Sequence, residues 1–170
     1  MSDSATLGSS LTERTEVLMP EGTNHLGRAF GGRILEWMDV VASVACRRFA
    51  GTQVVTASID HVDFHAPISV GDVVTIEAYV FDAGRTSLTV RTTVRAEDPE
   101  NDEEWDVTGA FFTFVAVDDD DRPTAVPSLD CPSENEMKLR ERALDERREH
   151  REDLVERLDA ETAGASAESE

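Results

Sequence analysis

The chain has 170 residues, enough for one domain with a real hydrophobic core and roughly thirty to forty residues beyond it. Its 36 acids against 16 bases give a formal net charge of −20, and Lys138 is the single lysine. Nucleic acid and anionic membrane are excluded as main partners, because both are polyanions that require a basic footprint. A small molecule or another protein is expected instead. The dense carboxylates and the missing lysines fit a protein adapted to concentrated salt, where self-repulsion is screened. No apolar run approaches the roughly 20 residues of a membrane span, and residues 1–18 lack the pattern of a leader, so a cytoplasmic location is expected. Cys46 and Cys131 are too few for a disulfide framework or a metal knuckle and read as free thiols.

Residues 1–11 are small and polar and read as a flexible N-terminus, followed by a short opening strand over Glu13–Met19. Met19 to Asp39 reads MPEGTNHLGRAFGGRILEWMD, a glycine-punctuated loop that runs into a helix. From Ile34 onward, Leu35, Met38, Val41, Ala42, Ala45 and Phe49 recur at helical spacing and mark a core-facing helix. Glu36, Asp39, Ser43 and Arg47 form its polar stripe. After Gly51, period-two or β-branched runs predict strands over Gln53–His65, Val73–Phe81 and Ser87–Ala96, with an aromatic strand over Trp105–Val117. Pro67–Asp72 and Asp82–Arg85 read as turns, and Glu97–Glu104 as a polar connector. A strand, a long helix and four strands with hairpin-length links give an α+β class: an antiparallel sheet wrapped around one central helix, the hotdog architecture. That domain spans 12–127, with a linker at 128–132. Ser133 and Glu136 form a capping box that opens a charged C-terminal helix over 133–159. Its thin apolar stripe predicts that it leans on the domain or on a neighbouring subunit. Residues 160–170 read as a disordered acidic tail.

Within Met19–Asp39 the chain places the carboxamide of Asn24, the paired glycines Gly31 and Gly32 at a helix start, and the carboxylate of Asp39. Two glycines leave first-turn amides bare, so a ligand can approach the backbone. An acid on so apolar a helix either points to water or sits at an interface, and the sequence leaves both open. Asn24 by itself is equally a turn residue ahead of Gly27, and His25 beside it reads as shaping the loop. His61, Asp63 and His65 alternate on the predicted strand and would share one face, a geometry that can hold a metal but more often lines a solvated face. No metal is assigned to them.

Several separated motifs resemble the acyl-CoA thioesterases of the hotdog superfamily, of the YciA and brain acyl-CoA hydrolase type. They are MP…TNHLG…FGG.ILEWMD, VVTASIDHVDFHAPISVGD, GRTS and AFFTFVAVD, in collinear order over roughly residues 15–127. The resemblance implies hydrolysis of an acyl-CoA thioester to an acid and CoA, with Asp39 and Asn24 as the catalytic pair. It implies no metal and no redox cofactor, CoA being part of the substrate. Asp39 would act as general base or as nucleophile, and the amides of Gly31 and Gly32 would hold the oxyanion at about 3 kcal/mol per donor. Gly84, Arg85, Thr86 and Ser87 would contact the CoA moiety, with Arg28, Arg33 and Arg91 as weaker members of a basic cluster. In such enzymes the two catalytic residues come from opposite hotdog units, which implies a homodimer at minimum and a homohexamer, a trimer of dimers, by analogy. A non-catalytic acyl-CoA-binding module is the alternative. A hydratase or dehydratase is disfavoured, because His65-Ala66-Pro67 does not supply the histidine motif those enzymes need. Phe64, Phe81 and Phe111 to Phe114 either line the acyl tunnel or form core.

Overall fold

The computed structural model describes residues 4–60 and 62–167, without the side chains of 160–167. The chain begins with a short strand, β1 (Ser4–Thr6), and one helical turn, α1 (Leu7–Ser10). Five further strands, β2 (Thr12–Val17), β3 (Gln53–Asp60), β4 (Val73–Ala83), β5 (Ser87–Asp98) and β6 (Glu103–Val117), form an antiparallel sheet in the spatial order β2-β4-β5-β6-β3. A single long helix, α2 (Gly31–Ala50), lies on its inner face. This is the hotdog layout read from the sequence.

The helix owes its place to the apolar stripe. Ile34, Met38, Val41, Ala42, Ala45, Cys46 and Phe49 are all buried. They join one core with Val74, Ile76, Ala78 and Val80 of β4, Leu88 and Val90 of β5, and Ala110, Phe112 and Phe114 of β6. Truncating one of the larger members, such as Met38, leaves a cavity worth about 2–5 kcal/mol. Gly51 ends α2 in the left-handed region at φ 67°, its N–H donating to the carbonyl of Arg47. Arg47 and Arg48 in the last turn complement the helix dipole.

The N-terminus departs from the flexible segment expected over residues 1–11. β1 pairs in parallel with β7 (Ser128–Asp130), inside the segment read as a linker. Leu7 and Ser10 are fully buried. The strand pairing of β2 with β4 stops at Ala78, and the hydroxyl of Ser10 accepts the next open β4 amide, Val80 N–H, at 2.9 Å. Small polar residues look mobile in sequence because only a distant strand end shows what they satisfy.

The last helix, α3 (Glu134–Ala167), runs past the expected end at Asp159 and takes in residues read as disordered tail. Residues 1–3 and 168–170 lie outside the described residues. Ser133 and Glu136 exchange capping bonds, and the Glu136 carboxylate also accepts from Gly8 N–H at 2.7 Å. α3 packs on the outer face of the same chain's sheet. Its apolar anchor is small, Ala143 packed with Phe81, Phe111 and Tyr79. Arg91 of β5 pairs with Glu146 at 2.6 Å and lies over the Phe111 ring. A Cβ at Gly109 would collide with that guanidinium, so the glycine makes its room. Among the described residues no helix is long and apolar enough to cross a membrane.

Candidate functional site

The loop before α2 is organised by Asn24. Its Oδ1 accepts from the N–H groups of Leu26 (2.9 Å) and Arg28 (3.2 Å), while its own N–H donates to Arg28 O at 2.8 Å. Gly27 takes the left-handed φ of 69° that this tight turn requires. The turn-residue reading is therefore satisfied by the oxygen alone. The carboxamide NH2 is the end left to act on a ligand.

The loop delivers the chain to α2 with Phe30 at the N-cap, where no side chain caps the helix. A serine or aspartate there would satisfy a first-turn amide and stabilise the helix by about 1 kcal/mol. Here the N–H groups of Gly31 and Gly32 have no hydrogen-bond partner among the described residues. Space above Gly32 is open, while Gly31 lies under the ring of Phe64. The arrangement suits an oxygen bearing negative charge.

Asp39 sits two turns further on, half-buried on the polar stripe. Its Oδ1 accepts from the Thr56 hydroxyl of β3 at 2.7 Å. Thr56 pairs across the sheet with the inward Phe114, and a bulge between Thr56 and Ser58 then shifts the register by one. The shift turns Asp60, paired with Phe111, to the outer face, where it meets Arg147 of α3 at 3.6 Å. Sequence reasoning missed Thr56. A threonine among β-branched strand residues carries no signal of its own, and the contact joins positions 17 apart on different elements. β3 also stops at Asp60, so the alternation that would put His61, Asp63 and His65 on one strand face does not form. His61 itself lies outside the described residues. Among these no group of three or more His, Cys, Asp or Glu is arranged to hold a metal.

One chain does not bring the candidate residues together. Gly32 and Asp39 are seven residues apart on α2, about 10 Å along its axis at 1.5 Å per residue. No single carbonyl carbon can touch both. Asn24 keeps its hydrogen bonds within its own loop, and none joins it to Asp39 among the described residues. The surface around these groups is apolar and open: Phe30, Phe64, Val40 and Ile59 are all more than two-fifths exposed. Among the described residues β3 is moreover an edge strand, paired only with β6. A patch of this kind beside an unpaired edge calls for a covering surface.

Gly84 to Ser87 form the tight β4–β5 hairpin, with Gly84 N–H donating to Ser87 O at 2.8 Å. A Cβ on Gly84 would run into the Ser87 hydroxyl, which explains the glycine. Ser87 pairs with Val115, and Val115 with Val55, so the hairpin lies two strands, about 10 Å, across the sheet from the residue beside Thr56. Arg85 is exposed and makes no ion pair among the described residues. Of the other arginines, Arg33 pairs with Glu36, and Arg91 is held under α3 by Glu146 on the opposite face. Arg91 is corrected from a CoA-cluster candidate to a clasp for α3. A cavity of about 390 Å³ also lies on that α3 side, lined by His65, Arg91, Phe111 and Glu146. It is remote from Asp39, as expected if the site closes only between chains. Burial pushes the Cys46 thiol far above its ordinary value, so it is inert in the core.

Comparison with known proteins gives the family. Residues 26–102 match the family model of the thioesterase superfamily. An uncharacterized acyl-CoA thioester hydrolase of Zymomonas mobilis is 36% identical over 113 residues, 66% of this chain and 76% of that protein. The chain belongs to this family of hotdog acyl-CoA thioester hydrolases. The fold of this thioesterase matches an apo-hexameric acyl-CoA thioesterase with a TM-score of 0.79 at 36% identity, covering 89% of this chain and 97% of the other. It also matches an acyl-CoA hydrolase of Staphylococcus aureus, solved with butyryl coenzyme A and coenzyme A, with a TM-score of 0.76 at 32% identity, covering 94% and 98%. That enzyme has also been solved with alanine in place of an aspartate, a threonine and an asparagine.

Proposed function

We propose that this thioesterase hydrolyses acyl-CoA thioesters to a free acid and CoA at a site shared by two copies of the chain. The observation that carries the reading is the Asp39–Thr56 hydrogen bond on one element set, and bare Gly31 and Gly32 amides about 10 Å away along the same helix. A second copy, docked on the exposed β3 edge and α2 face, would bring its Asn24 and glycine amides to this copy's Asp39. The three alanine-substituted positions of the S. aureus enzyme fall at the same sequence spacing as Asn24, Asp39 and Thr56, which supports placing these three residues in the site here.

With Oδ1 engaged by Thr56, Oδ2 of Asp39 is the reactive oxygen. It either removes a proton from the attacking water or attacks the carbonyl carbon itself to give an anhydride that water then opens. Both routes push the carbonyl π electrons onto the thioester oxygen, where the glycine amides and the Asn24 NH2 receive them. Collapse breaks the C–S bond, and the thiolate of CoA leaves and is protonated. All of these steps are assigned to side chains, backbone and water. Arg85, Thr86 and Ser87 would hold the CoA arm beside the start of β3. Because the whole chain carries −20, that hairpin acts at close range, and concentrated salt, with a Debye length of about 3 Å at 1 M, removes the long-range repulsion of a polyanionic substrate. Salt adaptation, a cytoplasmic location beside a water-soluble substrate, and a hexameric assembly like that of the apo-hexameric relative belong to this reading.

The test is CoA release from an acyl-CoA panel in molar salt. Asp39→Asn is expected to lower turnover about 10²- to 10⁴-fold, the range for loss of a positioned acid–base group. Equal turnover in a folded variant would remove Asp39 from the reaction. Refolding Asn24→Ala together with Asp39→Asn should restore activity, since each mixed dimer holds one intact site. Absence of rescue would rule out sharing.

A further inference from the structure

We infer that Phe64 is the acyl-facing wall of the site and the residue that limits the length of acyl chain accepted. The inference rests on the proposed hydrolysis and adds a specificity residue to it. A substrate oxygen held by the amides of Gly31 and Gly32 lies at the first turn of α2. The Phe64 ring is already there: a Cβ built on Gly31 would stand 3.3 Å from Cε2 and 3.4 Å from Cζ. An acyl group whose carbonyl reaches the Gly31 amide therefore has this ring beside it.

The ring is presented rather than buried, with 45% of Phe64 exposed. Exposure does not reflect a loose backbone. The Thr108 hydroxyl donates to Asp63 O at 2.7 Å and His65 N–H donates to Val107 O at 2.9 Å, pinning both neighbours to β6. On the other side, Ala29 N–H donates to Ile68 O at 2.9 Å and Val70 N–H to Gly27 O, tying the same segment to the Asn24 loop. The backbone on both sides of Phe64 is thus fixed to β6 and to the Asn24 loop, which presents the ring at the glycine amides.

The chemistry selects the acyl end of the substrate over the CoA end. The CoA arm is a run of amides and phosphates, matched by the Arg85, Thr86 and Ser87 donors. An alkyl chain is matched by a phenyl ring, and Phe30 and Leu26, 53% and 65% exposed on the loop that enters α2, extend the same apolar lining. In an apolar pocket one methylene changes kcat/KM by about 10- to 200-fold, so a ring at its end sets a sharp limit.

The experiment measures kcat/KM in molar salt for acyl-CoAs from acetyl to palmitoyl with wild type, Phe64→Ala, Phe64→Leu and Phe64→Trp, each checked for oligomer by light scattering. Phe64→Ala and Phe64→Leu are expected to raise kcat/KM at least tenfold for chains just beyond the wild-type limit, relative to the best wild-type substrate. Phe64→Trp should shift the profile to shorter chains. An unchanged profile, or a loss equal at every length, would overturn the inference, the second result meaning that the ring only supports packing. Should Phe64→Ala fail to assemble, the leucine and tryptophan variants decide. A wild type that cleaves no acyl-CoA would instead overturn the hydrolase reading and this inference with it.

Discussion

Thr56→Val is the most incisive perturbation of the site, because it removes one hydroxyl and leaves the strand its β-branched side chain. The lost contact is the 2.7 Å bond to Asp39 Oδ1. A hydrogen bond to a charged group contributes about 1.5–3 kcal/mol, and the exposure of Thr56 on an edge strand brings the expected loss to about 1–2 kcal/mol. At 1.36 kcal/mol per tenfold, kcat should fall about 5- to 30-fold. KM should hardly move, since the carboxylate is released from its aim while the Arg85 hairpin and the glycine amides are untouched. Steady-state kinetics on one good acyl-CoA, with circular dichroism as a folding check, measures this. Thr56→Ser should recover most of the loss, and Thr56→Val should add nothing in an Asp39→Asn background. Full kcat in Thr56→Val, or a serine variant no better than valine, would refute the idea that Thr56 aims the acid.

Two further outcomes concern the frame around the site. Burial works against the Glu146 carboxylate, but the charges and hydrogen bonds of Arg91 and Arg142 outweigh it and hold the group below its ordinary value of 4.5. A depressed folded value means that the pair stabilises α3 docking above the ordinary value and loses that contribution as pH falls through the lower, folded one. Hydrogen exchange should show α3 residues around Ala143 protected at pH 6 and opening only once the pH falls below the ordinary carboxylate value, with Glu146→Gln already weakly protected at pH 6; identical acid opening in both would exclude this pair as the clasp. Dialysis from molar to millimolar salt extends the Debye length from about 3 to 30 Å or more. The oligomer should then dissociate by light scattering with loss of ellipticity, and a stable, active oligomer in dilute buffer would contradict salt adaptation.

The local patterns were legible because their causes are local. The 3.6-residue recurrence from Ile34 to Phe49 requires a buried stripe, and the alternation in β4 to β6 requires a sheet with a covered face, so helix and sheet could be read from residue order alone. The order of Asn24, Gly31, Gly32 and Asp39 was likewise visible, because loop, helix start and helix face follow one another along the chain. What sequence could not show were contacts whose partners are remote and whose geometry turns on one residue. The register of β3 on β6 places Thr56 under Asp39, and a single bulge just after it sends Asp60 outward to Arg147. Glu146 of the last helix holds Arg91 over Gly109 as a clasp for α3, and Ser10 looks mobile until the open amide of Val80 appears beside it. Composition and spacing therefore determined the fold class and the groups available for chemistry. Only the tertiary structure decided their distances, and the fixed rise of α2 keeps Asp39 and the glycine amides apart in one chain, the separation on which the proposal of a two-copy site rests.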